Sequence, residues 1–266
     1  MRPAVVIAAA LAVTGAAAAD PHPAAADAPP QGIVHVRVAP GTTLREHGYQ
    51  LYSANCASCH GIAGSGVEAP QRGAGAQLGQ GPPLRGVGAL AADFYLRTGY
   101  MPLGHPGDQP WRNRVLFSER EVKALVAYVA SLGPGPAIPR PHAERGRVAT
   151  GFLLFTDHCA GCHQVAAQGG FVTGARVPQL NQSTPVQVAE AVRTGPYLMP
   201  RFSKRQISDR DLDSIIAYVE YAKHPRDSGG WSIGRVGPVP EGLVAWLIGG
   251  AALVATCLLI GKRLRS

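Results

Sequence analysis

The sequence predicts an all-α protein: two tandem, related helical domains followed by one C-terminal transmembrane helix. Three observations carry this. The pentapeptide Cys56-Ala57-Ser58-Cys59-His60 recurs as Cys159-Ala160-Gly161-Cys162-His163. The flanks of the two copies recur in the same order, with spacing differences confined to loops, as in a duplicated domain whose loops have been trimmed. Near the C-terminus, Leu243 to Ile260 runs 18 residues without a charge.

The chain opens with Arg2, an apolar run from Ala4 to Val13, and small residues ending in Ala17-Ala18-Ala19. This reads as a secretory signal peptide over 1–19, because the apolar run falls short of the ~20 residues of a membrane span. An uncleaved anchor is the alternative. Residues 20–42 are rich in Pro and Ala, with a brief extended patch at Ile33, Val34, Val36 and Val38, and read as a linker.

The first domain is placed at 43–133. Gly48, Leu51, Tyr52 and Cys56 share one face of a short helix that delivers the first pentapeptide. A Gly-rich loop from Gly61 to Gly81 leads into Pro82-Pro83-Leu84, and a second helix is expected over Ala89 to Thr98. Gly99-Tyr100-Met101-Pro102 follows. A final helix from Ser118 to Leu132 opens on a capping box, Ser118 with Glu121, and carries the stripe Val122, Leu125, Val126 and Val129. Residues 134–143 form a Pro-rich linker.

The second domain, 144–224, repeats the first. Gly151, Leu154 and Phe155 match Gly48, Leu51 and Tyr52 at a separation of 103 positions. Pro178, Leu180 and Arg193-Thr194-Gly195 match Pro82, Leu84 and Arg97-Thr98-Gly99 at 96. Ser208 through Val219 matches Ser118 through Val129 at 90. A linker over 225–241 leads to the transmembrane helix, placed at 242–261. Its 18 uncharged residues span about 27 Å at ~1.5 Å each, close to the ~30 Å hydrocarbon core of a bilayer. Trp246 falls towards the outer interface, and Gly249-Gly250-Ala251-Ala252 offers a smooth face to a membrane partner. Lys262, Arg263 and Arg265 follow in the tail, 262–266. The positive-inside rule therefore puts the C-terminus in the cytoplasm and both domains on the extracytoplasmic side of the cell membrane.

The chemistry lies in the pentapeptides. Two thiols one helical turn apart are placed to add to the two vinyl groups of a porphyrin, and the adjacent His then lies beneath the iron. Cys-x-x-Cys-His therefore reads as a covalent haem c site. A lone Cys-x-x-Cys also serves as a thiol redox motif or half of a zinc site; two copies in matched flanks favour two haems. That assigns Cys56, Cys59, Cys159 and Cys162 to covalent attachment, with His60 and His163 as axial ligands. Apart from Met1, the chain has two methionines, Met101 and Met199, each followed by Pro shortly after Arg-Thr-Gly. They are the expected second axial ligands, although a lone Met often only fills a core gap and His105 lies close to Met101. A thioether opposite an imidazole raises the reduction potential. Pro82 and Pro178 are candidates to offer a carbonyl to the N–H of each axial His, with plain turn formation an equal alternative; His47 and His158 read as surface or propionate-contacting residues.

Composition supports a cofactor-stapled protein. Aromatics make up 6% of 266 residues while Gly (33) and Pro (23) abound, so each core is thin without a large apolar group to pack on. Four of five cysteines belong to the pentapeptides, which leaves no disulfide framework; Cys257 is a small apolar residue of the last helix. Of the net +8, Arg2, Lys262, Arg263 and Arg265 supply four charges, and no nucleic-acid surface is indicated. No residue set reads as a catalytic acid, base or nucleophile.

With both haem motifs, both Met-Pro segments and both terminal helices in place, the chain resembles tandem class I cytochrome c domains. It looks like the dihaem cytochrome c subunit of the actinobacterial-type cytochrome bcc complex, a menaquinol:cytochrome c reductase. The resemblance implies partners: a cytochrome b subunit, a Rieske iron–sulfur subunit that donates electrons, and a cytochrome c oxidase that accepts them in a supercomplex. An electron-transfer subunit of a membrane-bound dehydrogenase shares the same parts and is the alternative. A dihaem peroxidase is a third reading, which the two Met-Pro segments disfavour.

Overall fold

A computed structural model describes residues 32–67, 81–104, 108–223 and 238–264, with the side chains of 238–241 left aside. The signal segment, most of the 225–241 linker and His105 lie outside the described residues.

In the first domain, α1 (Leu44–Asn55) starts on Thr43, whose hydroxyl accepts from the Glu46 N–H, and ends at Cys56. One further turn, α2 (Ala57–His60), carries the rest of the pentapeptide. α3 (Gly88–Arg97) and α4 (Glu119–Ala130) follow, and α4 opens on the expected Ser118–Glu121 capping box. The second domain repeats this order with α5 (Val148–His158), α6 (Ala160–His163), α7 (Pro185–Thr194) and α8 (Asp209–Lys223). α7 has its own capping box, Thr184 with Gln187, and Pro185 in its first turn, where the missing N–H costs nothing.

Each core forms where the first helix of a domain crosses the last. Leu51, Tyr52, Val122 and Leu125 are buried in one, and Phe155, Ile215, Ile216 and Val219 in the other. The crossing depends on glycine. A Cβ at Gly48 would overlap the Ala124 carbonyl of α4, and a Cβ at Gly151 the Ser214 carbonyl of α8. Beside these contacts the rings of Tyr52 and Tyr128 lie 5.0 Å apart, and those of Phe155 and Tyr218 5.3 Å.

The structure adds three features to the expected plan. A short antiparallel hairpin, β1 (Gly170–Val172) and β2 (Ala175–Val177), fills the loop after α6, turned by two residues with Gly174 at φ 84°. The second half of the 20–42 linker is docked on the first domain rather than hanging free. There, the Val34 N–H donates to Asn55 Oδ1 at 2.8 Å, His35 Nδ1 meets Glu121 at 2.9 Å, and Ile33 and Val36 pack on the core. The Pro-rich linker is likewise seated, with the Leu90 N–H donating to the Pro136 carbonyl at 3.1 Å and Ile138 against the first core.

The domains meet through α3 and α7. Asp93 is buried here and paired with Arg97 at 2.8 Å, while Arg97 also grips Glu119 at 2.6 Å. Glu190 of α7 is fully buried, and neither of its carboxyl oxygens has a hydrogen-bond partner among the described residues. Burial first, and the nearby Asp93 carboxylate second, push its pKa well above the carboxylate range, with Arg97 pulling the other way.

α9 (Pro238–Arg263) is the membrane candidate. Gly242–Arg263 gives 22 residues of mean hydropathy 2.4, with none buried among the described residues.

A carboxyl raised on folding binds its proton more tightly in the folded state. The stability it contributes is thus fully present at or below the ordinary carboxylate range and lost as pH rises above it. Glu190→Gln keeps the size and polarity of the protonated acid without the titration. We expect the variant to melt at a temperature less dependent on pH than wild type, and higher by roughly 2–4 °C at mildly alkaline pH, about 1 kcal/mol for a protein of this size. Thermal melts across pH check this; a variant that melts below wild type at the alkaline end contradicts it.

Candidate functional site

The two pentapeptides adopt the same backbone. Cys56 sits at φ −122°, ψ −30° and Cys159 at φ −124°, ψ −36°, each ending one helix and capping the next. The His60 N–H returns to the Cys56 carbonyl at 2.9 Å and the His163 N–H to the Cys159 carbonyl at 2.8 Å. After each His the chain turns through positive φ, at Gly61 (73°) in one copy and Gln164 (59°) in the other. The helix break brings both cysteines and the His of each motif onto a single turn.

Both imidazoles are held by the same atom pair. His60 Nδ1 lies 2.9 Å from the Pro82 carbonyl and His163 Nδ1 3.1 Å from the Pro178 carbonyl. A carbonyl only accepts, so Nδ1 carries the proton in each ring and Nε2 keeps a free lone pair. That is the tautomer needed for ligation through Nε2, with a carbonyl fixing the ring plane. Gly81 lies against the His60 ring so closely that any side chain there would overlap it. Burial lowers the His163 pKa against the opposing effect of its bond to Pro178, which favours the neutral ligand form.

Burial dominates the environment of the first thiol of each pair. Burial, and then the neighbouring Cys59, push Cys56 up to about 12; burial and Cys162 do the same for Cys159. Thiol–disulfide enzymes depress one cysteine instead. Among the described residues no group of three or more His, Cys, Asp or Glu is placed to hold a bare metal ion. The donor set fits haem c: two thiols a turn apart, an imidazole with a free Nε2, and, in the second domain, a thioether facing the same space.

In that second domain Cys159, Cys162, His163 and Met199 line one cleft. Met199 is presented by the turn after α7, its N–H donating to the Pro196 carbonyl at 3.0 Å, and it packs on the core. Arg193 secures this turn: Nη1 donates to the Phe202 carbonyl at 3.2 Å and the Ile207 carbonyl at 2.8 Å, and Nη2 reaches Asp209 at 3.0 Å. Its repeat partner Arg97 makes the equivalent bridge to Glu119. In the first domain Met101 follows α3, its N–H donating to the Tyr95 carbonyl at 3.1 Å, while His60 stands against Pro82. Residues 68–80, after His60, and 105–107, after Met101, lie outside the described residues.

The remaining histidines separate. His158 lines the second cleft, 6.0 Å ring to ring from Phe202. His47, expected on the surface or near a propionate, is instead 4% exposed, and its Nε2 lies 3.2 Å from the Val36 carbonyl of the docked N-terminal segment. Local periodicity carries no signal for that segment's return, so the burial was not legible.

Two small helical domains, each breaking a helix at Cys-x-x-Cys-His and each holding that His by a proline carbonyl, define a tandem c-type cytochrome. Residues 46–133 match the family described as Cytochrome c, and residues 146–219 the family described as Cytochrome C oxidase, cbb3-type, subunit III. A Cytochrome bc1 complex cytochrome c subunit from Corynebacterium diphtheriae is 34% identical over 238 residues, covering 83% of this chain and 81% of that one. One from Mycobacterium bovis is 36% identical over 233 residues, covering 84% and 79%. A Cbb3-type cytochrome c oxidase subunit CcoP from Azospirillum sp. is 28% identical over 201 residues, covering 65% and 60%. The chain belongs to the family of cytochrome c subunits of the cytochrome bc1 complex, and its two domains are cytochrome c domains, which supports haem c binding.

Arg193→Met removes the donors from two partly buried carbonyls and from the Met199 turn. The expected cost is about 1 to 3 kcal/mol, read as a lower melting temperature of the purified protein; an unchanged melt contradicts this role.

Proposed function

We propose that this chain is the membrane-anchored, two-haem electron carrier of a quinol:cytochrome c reductase. In this reading it takes electrons from a Rieske iron–sulfur subunit beside a cytochrome b subunit and delivers them to a cytochrome c oxidase held in a supercomplex. The observation that carries the reading is the duplication: one chain holds two Cys-x-x-Cys-His turns of the same backbone, each with its His Nδ1 on a proline carbonyl, ahead of one long apolar helix.

Cys56 and Cys59 would hold one haem c, with His60 and Met101 as the residues that would ligate its iron; Cys159 and Cys162 would hold the other, with His163 and Met199. Bound haem supplies a one-electron couple. The chain's own part would be to attach it covalently, to keep each Nε2 free through the Pro82 and Pro178 carbonyls, and to offer it a thioether from Met101 or Met199, which would raise its potential. The domains extend over 43–133 and 144–224, after a signal peptide at 1–19. Lys262, Arg263 and Arg265 keep the C-terminus cytoplasmic, so both domains stand on the extracytoplasmic side.

A second reading, a haem-bearing subunit of an oxidase itself, has in its favour the match over 146–219 and the Azospirillum relative. Purification through this chain in mild detergent separates the two. The proposal expects a cytochrome b and a Rieske protein among the co-purifying subunits; a complex containing neither contradicts it, and the same result would count against an electron-donating Rieske partner.

Met101→Ala and Met199→Ala test the ligands. Each is expected to remove the weak red absorption of one Met–iron bond and lower the potential of one haem while leaving the other unchanged, as redox titration followed by absorption would show. Absorption unchanged in both variants contradicts His/Met ligation.

A further inference from the structure

The cleft of the second domain is not built by the second domain alone. Phe94, Tyr100, Gln109, Pro110 and Arg112, all from the first domain, form part of its wall beside Cys159, His163 and Met199. The segment 109–112 is fixed in place across the boundary. Gln109 Nε2 donates to the Arg176 carbonyl at 2.6 Å, and the Arg176 N–H donates back to Gln109 Oε1 at 3.1 Å. The side-chain amide thus binds the backbone of the hairpin as a neighbouring strand would.

Arg112 is the unusual member of this wall. Its guanidinium is partly withdrawn from water, and burial lowers its pKa. Its hydrogen-bond partners among the described residues are neutral: Nη2 donates to Gln187 Oε1 at 2.9 Å and to Ser183 Oγ at 3.3 Å. Among the described residues no carboxylate pairs with it at salt-bridge distance, whereas its neighbours Arg97 and Arg193 are each paired with acids. A desolvated cation without a counter-ion is costly, and the planar fork of arginine is matched to carboxylate geometry. Arg176, the second arginine of the same wall, sits over the Trp111 ring at 5.0 Å, likewise without an acidic partner among the described residues. The wall therefore offers two cations to a group that brings carboxylates into the cleft.

We propose that Arg112 of the first domain receives a propionate carboxylate of the haem held by Cys159 and Cys162, so that the second haem site is shared between domains. This rests on the reading that those cysteines carry haem. A cation at that carboxylate favours the reduced, less positive haem and so raises its potential. It also makes the potential of the second haem depend on how the first domain is seated.

The test uses the full chain in its purified complex. Arg112→Gln is expected to leave two haems attached by intact mass while lowering the potential of one haem only. The expected change is about three- to tenfold in its oxidised-to-reduced ratio at fixed ambient potential, or ~30 to 60 mV at 59 mV per tenfold for one electron. Arg112→Lys, which keeps the charge and loses the fork, should recover part of the shift. Two controls keep the proposal falsifiable. Arg120→Gln removes an exposed first-domain charge away from the cleft and should leave both potentials in place. Gln109→Ala loosens the same interdomain contact with the Arg112 charge retained, and should shift less than Arg112→Gln. An Arg112→Gln variant indistinguishable from Arg120→Gln, or a Gln109→Ala variant with an equal shift, overturns the proposal. A wild-type mass lacking haem at Cys159 and Cys162 overturns the underlying reading itself, and is told apart by that mass alone.

Discussion

The hydrogen bond from a histidine Nδ1 to a proline carbonyl, made once by His60 with Pro82 and once by His163 with Pro178, is the constraint on which the rest of the structure depends. It sets the tautomer, the ring plane and the exposed nitrogen of the residue that the pentapeptide exists to present. For the bond to form, α1 must break at Cys56 and α5 at Cys159, and the loop after each motif must return a proline to the same spot. The crossing of first and last helices then supplies the rigid base. At Gly48 and Gly151 the backbones approach so closely that even a methyl group is excluded.

The two domains solve this problem with different residues where the constraint allows it. In the first, Tyr52 on α1 donates to the Gly61 carbonyl at 2.7 Å; in the second, that position is Phe155, and Tyr218 on α8 donates to the Val165 carbonyl at 2.6 Å instead. In both, a tyrosine hydroxyl ties down the chain just after the motif. The bond is retained while its donor moves from one helix to the other, so the geometry of the turn, not the identity of each side chain, is what the fold preserves.

Much of this was legible in the sequence because it is local or repeated. The pentapeptides, the Ser118–Glu121 capping box and the candidacy of Pro82 and Pro178 all follow from spacing within a few residues or from matched positions between copies. What was not legible depends on contacts between distant segments. The docking of residues 32–42 on the first domain, and with it the burial of His47, needs the partner surface that Asn55 and Glu121 form only after folding. The hairpin at 170–177 is too short for a two-residue period to register. The meeting of α3 with α7, which sets Asp93 opposite Glu190, and the reach of Arg112 into its neighbour's cleft likewise join segments far apart in the sequence.

Two cytochrome c domains joined by a docked linker, with side chains crossing the boundary in both directions, make one packed unit, and on the proposed reading its cofactor sites are coupled. The central claim is that each Cys-x-x-Cys-His turn carries one covalent haem c. The intact mass of the purified chain, followed by mapping of the peptides around Cys56–Cys59 and Cys159–Cys162, tests it most directly. The account predicts the mass of the polypeptide plus two haems, one on each peptide. A mass showing one haem or none, with free thiols on either peptide, would contradict it.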